Sequence, residues 1–216
     1  MQKAPRSYTL SLFHLVIALT IFGFFVSCQS TYTPRPKGYY RINFPAKAYR
    51  TYTCDSCPFT FDYPVYANIT KDERFFDTVP ENPCWLNINF PDLTGIIYIS
   101  YKEISKKNTL EKLINDSHNL TFKHTVKADY IDETPIQNPN NVKGIFYEVG
   151  GDAASAVQFF LTDSTKHFIR GALYFNSVPN ADSLKPVVKF VKADMLYLIN
   201  SFKWNNNKMP VNASSK

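Results

Sequence analysis

The chain has 216 residues, 16% of them aromatic, and a formal net charge of +6 at pH 7. Its 7 glycines exclude collagen-like and solenoid compositions. The basic excess is spread along the sequence without a block of like charges, so it does not point to nucleic acid.

The first element is an export signal. Lys3 and Arg6 precede an apolar run, Leu10 to Val26, which ends in Val26-Ser27-Cys28. A basic start, an apolar stretch and a small residue before the cut define such a signal. A cysteine directly after the small residue makes it a bacterial lipoprotein signal, because its thiol can be thioether-linked to diacylglycerol. Residues 1–27 are then removed and the mature chain begins with lipid on Cys28. Taking off those residues, with Lys3 and Arg6, leaves 189 residues and a formal charge of +4, enough for one domain with a real core. An uncut signal anchor is the alternative, since a run of about 17 residues lies at the lower limit of a membrane span. Residues 28–37 read as a tether. Pro34-Arg35-Pro36 favours polyproline geometry, and the tether after the lipid reaches roughly 30 Å.

A single domain is expected over residues 38–204. Tyr39 to Phe44 reads as a short first strand. Phe59, Phe61 and Tyr63 alternate with polar residues, as do Leu86, Ile88 and Phe90 in a strand starting at Cys84. Gly95 to Tyr101 is apolar on both faces, which predicts a central strand, with Pro91 to Gly95 as the hairpin turn. Asn108 and Glu111 resemble a capping box at the start of a helix running to about Leu120. Residues 122–131 are ambiguous and read best as a strand after a loop. Gly144 to Val149, Val157 to Thr162 and Phe168 to Phe175 predict three strands, joined by turns at Gly150-Gly151-Asp152 and Thr162 to Lys166. Leu184, Val187, Val188, Val191, Met195, Leu198, Ile199 and Phe202 recur at helical spacing, with Pro186 placed in the first turn. Residues 205–216 are polar and are expected to be disordered. Strands, helix, strands and a long amphipathic helix predict an α+β fold, an antiparallel sheet flanked by helices. The order resembles the PsbP/Mog1-type α/β/α sandwich, a likeness of fold that carries no function.

Three cysteines follow Cys28: Cys54, Cys57 and Cys84. Outside the inner membrane a disulfide is expected, with one thiol left over. Cys57–Cys84, Cys54–Cys84 and a local Cys54–Cys57 bridge are all open. The spacing of Cys54 and Cys57 has the redox form, but Cys57 runs into a strand and lacks the helix N-terminus that activates such a thiol.

Signals for catalysis are weak. Asp116-Ser117-His118 holds the residue types of a hydrolase triad, yet adjacent helical residues point about 100° apart and cannot act in line. His118, His124 and His167 lack metal-ligand spacing, and Gly150-Gly151-Asp152 lacks the ending of a phosphate loop. No catalytic residue, metal or cofactor is assigned. Gln158, Asp163, His167 and Arg170, set among aromatic strand residues, are the candidate partner surface.

The chain resembles the gliding motility lipoprotein GldD family of Bacteroidota. The resemblance runs through Pro34-Arg35-Pro36-Lys37-Gly38-Tyr39, Cys57-Pro58-Phe59-Thr60-Phe61, Cys84-Trp85-Leu86-Asn87-Ile88 and Asp116-Ser117-His118. It is strongest at Tyr147-Glu148-Val149-Gly150-Gly151 and from Gln158 to Phe175. It implies a role in gliding motility and type IX secretion, with the proteins of that machinery as partners, and brings no catalytic residues or cofactor. It also favours the Cys57–Cys84 pairing. Surface-exported lipoproteins of the phylum carry acidic residues after the lipidated cysteine. Gln29-Ser30-Thr31-Tyr32 has none, which implies the periplasmic face of the outer membrane. The phylum's O-glycosylation pattern is matched at Thr78 and Ser183, although Ser183 also reads as a cap of the last helix. The expected function is that of a lipid-anchored, non-enzymatic assembly or stability factor. The alternative is an envelope lipoprotein that binds a small ligand or hydrolyses a substrate.

Overall fold

A computed structural model describes residues 41–72 and 80–205, together with His14. The signal segment 1–27 apart from His14, Cys28, the tether 28–37, Thr78 and residues 206–216 of the expected tail lie outside the described residues. Residues 41–44 are not strand, unlike the expected first element, whose Tyr39 and Tyr40 also lie outside.

A seven-stranded antiparallel sheet forms the centre. Its strands are β3 (Asn68–Lys71), β4 (Leu86–Phe90), β5 (Gly95–Glu103), β6 (Ala128–Gln137), β7 (Lys143–Gly151), β8 (Val157–Thr162) and β9 (His167–Phe175). Their order is β3-β4-β5-β9-β8-β7-β6. A second, three-stranded sheet has β2 (Phe59–Pro64) between β1 (Tyr49–Tyr52) and β10 (Lys203–Trp204). Every pairing is antiparallel. This is the α+β class that the sequence predicts.

Strand alternation divides the central sheet into two faces. Leu86, Ile88, Phe90, Ile97, Ile99, Tyr101, Val157, Phe159, Leu161, Ile169 and Leu173 form the main core. Helix α2 (Ala181–Ser201) and the aromatic strand β2 cover this face. Phe61 stacks on Tyr52 at 5.1 Å between centroids, and Phe59 lies 5.7 Å from Phe202. Phe160, Phe168 and Tyr147 face the other way, where Leu113 of helix α1 (Leu110–Phe122) covers them. Gly171 in β9 is enforced by this packing. A Cβ there would stand 2.4 Å from the Phe159 ring, closer than real carbon contacts.

The caps differ from the sequence reading. Thr109, not Asn108, opens α1, its hydroxyl accepting from the Lys112 N–H. Helix α2 begins at Ala181 and is capped by Asn180, whose side chain accepts from the Ser183 N–H. Ser183 is therefore an exposed first-turn residue and not the cap. Pro186 falls one turn further in than expected, on the exposed side of the helix. At the other end, buried Asn138 donates to the carbonyls of Ile199 at 2.9 Å and Phe202 at 2.8 Å. It thereby satisfies acceptors that the helix leaves open.

Residues 122–131 resolve into the end of α1, a tight turn at Lys123–Val126, and β6 with a register shift between Ala128 and Ile131. Strand β6 is an edge strand, mostly exposed and containing Pro135. Edge position tolerates the missing N–H and removes the alternation that marks buried strands. Asn205, expected to begin the disordered tail, donates to the Pro58 carbonyl at 2.8 Å and so is tied to the domain.

Candidate functional site

The four residues expected to form a partner surface separate into different environments. Gln158 and Arg170 point to the α1 side of the sheet, and the Arg170 guanidinium donates to Gln158 Oε1. Gln158 is fully buried and also accepts from Thr121 Oγ1 at 3.1 Å. His167 has the opposite parity along β9 and enters the main-core side, where its ring stacks on Trp204 at 5.1 Å. Its Nδ1 bonds the Tyr101 hydroxyl at 2.7 Å. Burial holds the His167 imidazole below its ordinary pKa, keeping it neutral. Asp163 occupies the β8–β9 turn. Burial raises its pKa, but the N–H groups of Thr165, Lys166 and His167 donate to Oδ1 and outweigh that effect, so its pKa is lowered. A common surface is thus ruled out by strand alternation for Gln158 and His167, and Asp163 serves its own turn.

The cysteines are arranged around strand starts. Cys57 and Cys84 form a disulfide with Cα atoms 5.6 Å apart, both buried. It ties the segment leading into β2 to the one leading into β4. Cys54 stands outside the disulfide, its Sγ 3.1 Å from the Ser56 hydroxyl. Burial raises its pKa, but the Ser56 hydroxyl and backbone, the Tyr52 hydroxyl and nearby Lys71 outweigh this and lower it.

A buried carboxylate that the sequence reading did not single out fixes the segment entering the domain. Asp194 of α2 is 1% exposed. It accepts from Lys47 Nζ at 2.6 Å, Tyr49 OH at 2.9 Å and Tyr66 OH at 2.7 Å. Lys47 Nζ also donates to the Phe190 carbonyl and sits 3.4 Å above the Phe190 ring centroid. Phe44 stacks on Phe190 at 4.4 Å and Tyr49 on Tyr197 at 3.7 Å. Burial, followed by the bond to Asp194, raises the Tyr49 phenol to about 12 and pushes Tyr66 higher still. Residues 44–49 are thereby strapped along the last helix. The available signal was the position of Asp194 itself, on the helical stripe of Val187, Val191, Met195 and Leu198.

The α1 side contains a cleft of about 430 Å³ between helix and sheet. Leu113, Leu120 and Phe168 supply apolar wall, and Ser100, Lys102, Ser117, Lys123 and Arg170 supply polar groups, with exposed Asp116 also on the lining. Arg170 has no ion pair among the described residues. Its Nε is buried without a hydrogen-bond partner, as is Ser117 Oγ. Each such orphan costs about 1–3 kcal/mol, more at a charged group. Burial and the Arg170 charge together lower the His124 pKa. The triad residue types do not converge. Ser117 is 2% exposed, whereas His118 stacks on Phe122 at 4.0 Å and its Nε2 lies 3.4 Å from Glu133. Among the described residues no cluster of three His, Cys, Asp or Glu could hold a metal.

The sequence family described as gliding motility lipoprotein GldD matches residues 29–204. The chain belongs to the GldD family. Membership associates it with gliding motility and with a membrane-anchored place in the cell envelope. No curated protein matches the chain. Among solved structures, cyanobacterial PsbP (CyanoP) from Synechocystis sp. PCC 6803 is similar over 76% of this chain and 97% of that chain, with 11% identity and a TM-score of 0.44. In this GldD member the family match spans the disulfide, the strap and the cleft.

Proposed function

We propose that the protein is a lipid-anchored periplasmic factor that supports assembly or stability of the gliding and type IX secretion machinery without catalysing a reaction. Lipid on Cys28 anchors it, residues 28–37 tether it, and the domain from residue 38 meets partner proteins. The acid-free residues Gln29 to Tyr32 favour the periplasmic face of the outer membrane.

The family match over residues 29–204 carries this reading, since it begins directly after Cys28. Anchoring by lipid requires two or more acyl chains to be stable, which lipoprotein processing provides. The Asp194 strap suits the role physically. It holds residues 44–49 against the last helix by a buried ionic contact and stacked rings.

Disruption of the gene tests the proposal. Loss of colony spreading together with accumulation of unsecreted cargo is expected. A disrupted strain that glides and secretes normally refutes it.

A further inference from the structure

We propose that the cleft between α1 and the central sheet is a binding site for a small organic carboxylate with an apolar body, received by Arg170. This goes beyond the motility role and stands or falls independently of it.

Arg170 lies on β9, an interior strand flanked by β5 and β8, where its side chain is half-buried and its Nε fully buried. A buried guanidinium normally pairs with a carboxylate, because removing it from water is expensive without compensation. Here the one side chain it bonds among the described residues is Gln158, a neutral amide. Gln158 Nε2 has no partner and cannot accept, so the amide offers no charge compensation. Arg170 belongs to the cleft lining.

Two other observations place an anion in that cleft. Ser117 is 2% exposed and lines the same cleft as the arginine, and its buried Oγ has no hydrogen-bond partner among the described residues. Lys102 and Lys123 add positive charge to the lining. Lys102 is partly compensated by Glu81 at 3.6 Å, and Asp116 opposes the field from an exposed position. Three cations against one carboxylate leave the lining net positive.

The shape chooses among anions. A cleft of about 430 Å³ falls in the range for small-molecule sites. Leu113, Leu120 and Phe168 give one side apolar character, which a bare inorganic anion would leave unused. A planar carboxylate matches the guanidinium fork, and an attached apolar group covers the leucines and phenylalanine.

Isothermal titration of the mature lipidated protein in nanodiscs, with empty nanodiscs as the blank, tests this. Sodium benzoate is the probe, benzamide its neutral counterpart, and inorganic phosphate the bare anion. Benzoate is expected to bind one site with Kd of about 1 mM or below, with benzamide and phosphate each at least roughly tenfold weaker. Arg170→Gln should weaken benzoate by at least about tenfold. Because that change touches a buried bond, exposed Lys123→Glu provides a second variant with little risk to folding. It should weaken benzoate about threefold or more. No benzoate binding, equal binding of benzamide or phosphate, or wild-type affinity in folded Arg170→Gln or Lys123→Glu would each overturn the proposal.

Discussion

Replacing Asp194 should show how strongly the strap is held. The carboxylate is 1% exposed and receives three donors, one of them an ammonium whose side chain is 32% exposed. Asp194→Ala leaves two phenols and Lys47 without their acceptor and opens a small cavity under α2. Removing one partner from a buried pair costs about 3–5 kcal/mol. For a domain of this size, each kcal/mol lowers Tm by roughly 2–4 °C, so the melt should fall by about 6–20 °C. Lys47→Met should cost less, about 1–3 kcal/mol, because two phenol donors still solvate the carboxylate and the lysine is partly in water. The discriminating quantity is the coupling in a double-mutant cycle of Lys47→Met with Asp194→Leu. Direct contact predicts at least about 1 kcal/mol from urea unfolding of the mature protein. Additivity within about 0.3 kcal/mol would refute the clamp.

Other parts of the structure yield independent tests. Replacing Cys57 and Cys84 by serine opens a loop of sequence separation 27. The loop-entropy relation gives a loss of about 3.5 kcal/mol, whereas Cys54→Ser should change urea stability little. Intact-mass analysis should show a two-proton gain on reduction, and no gain would remove the disulfide. Burial depresses the pKa of both His124 and His167, so the unfolded chain binds their protons more readily. Their stabilising effect is complete above the unfolded value near 6.5 and is lost as pH falls through the folded values. Calorimetry should therefore find a lower Tm at pH 5 than at pH 7.5, and a flat or rising profile contradicts the assignment. Gly171→Ala should cost about 1–3 kcal/mol by overpacking, because its Cβ would meet the Phe159 ring at 2.4 Å. An unchanged melt would show that the ring has room to move.

Much of the fold was written in short-range patterns. The alternating residues of β2 and β4 face a core on one side, and the apolar stripe of α2 lies against β2. These elements carry their own periodic signal. Strand β3 carries little, because it is an exposed edge with one half-buried residue among four. Strand β1 likewise depends on its pairing with β2.

The site was legible only in part. Arg170 stood out as a charge within an aromatic strand, and Gln158 as a polar residue within another. Their meeting across paired strands, and the absence of a countercharge among the described residues, depend on tertiary geometry. His167 looked equivalent in sequence, but strand parity turns it to the opposite face. Asp194 lay in plain view on an apolar helical stripe. Its partners Lys47 and Tyr49 stand 147 and 145 positions away, beyond any local pattern.

The central claim is that lipid on Cys28 places this domain where the motility machinery needs it. The most direct measurement returns wild-type or Cys28→Ser protein, at matched levels, to a disrupted strain and compares colony spreading. Wild type is expected to restore spreading, and the serine variant, still exported and folded, is expected to fail. Full spreading with the serine variant would contradict the account.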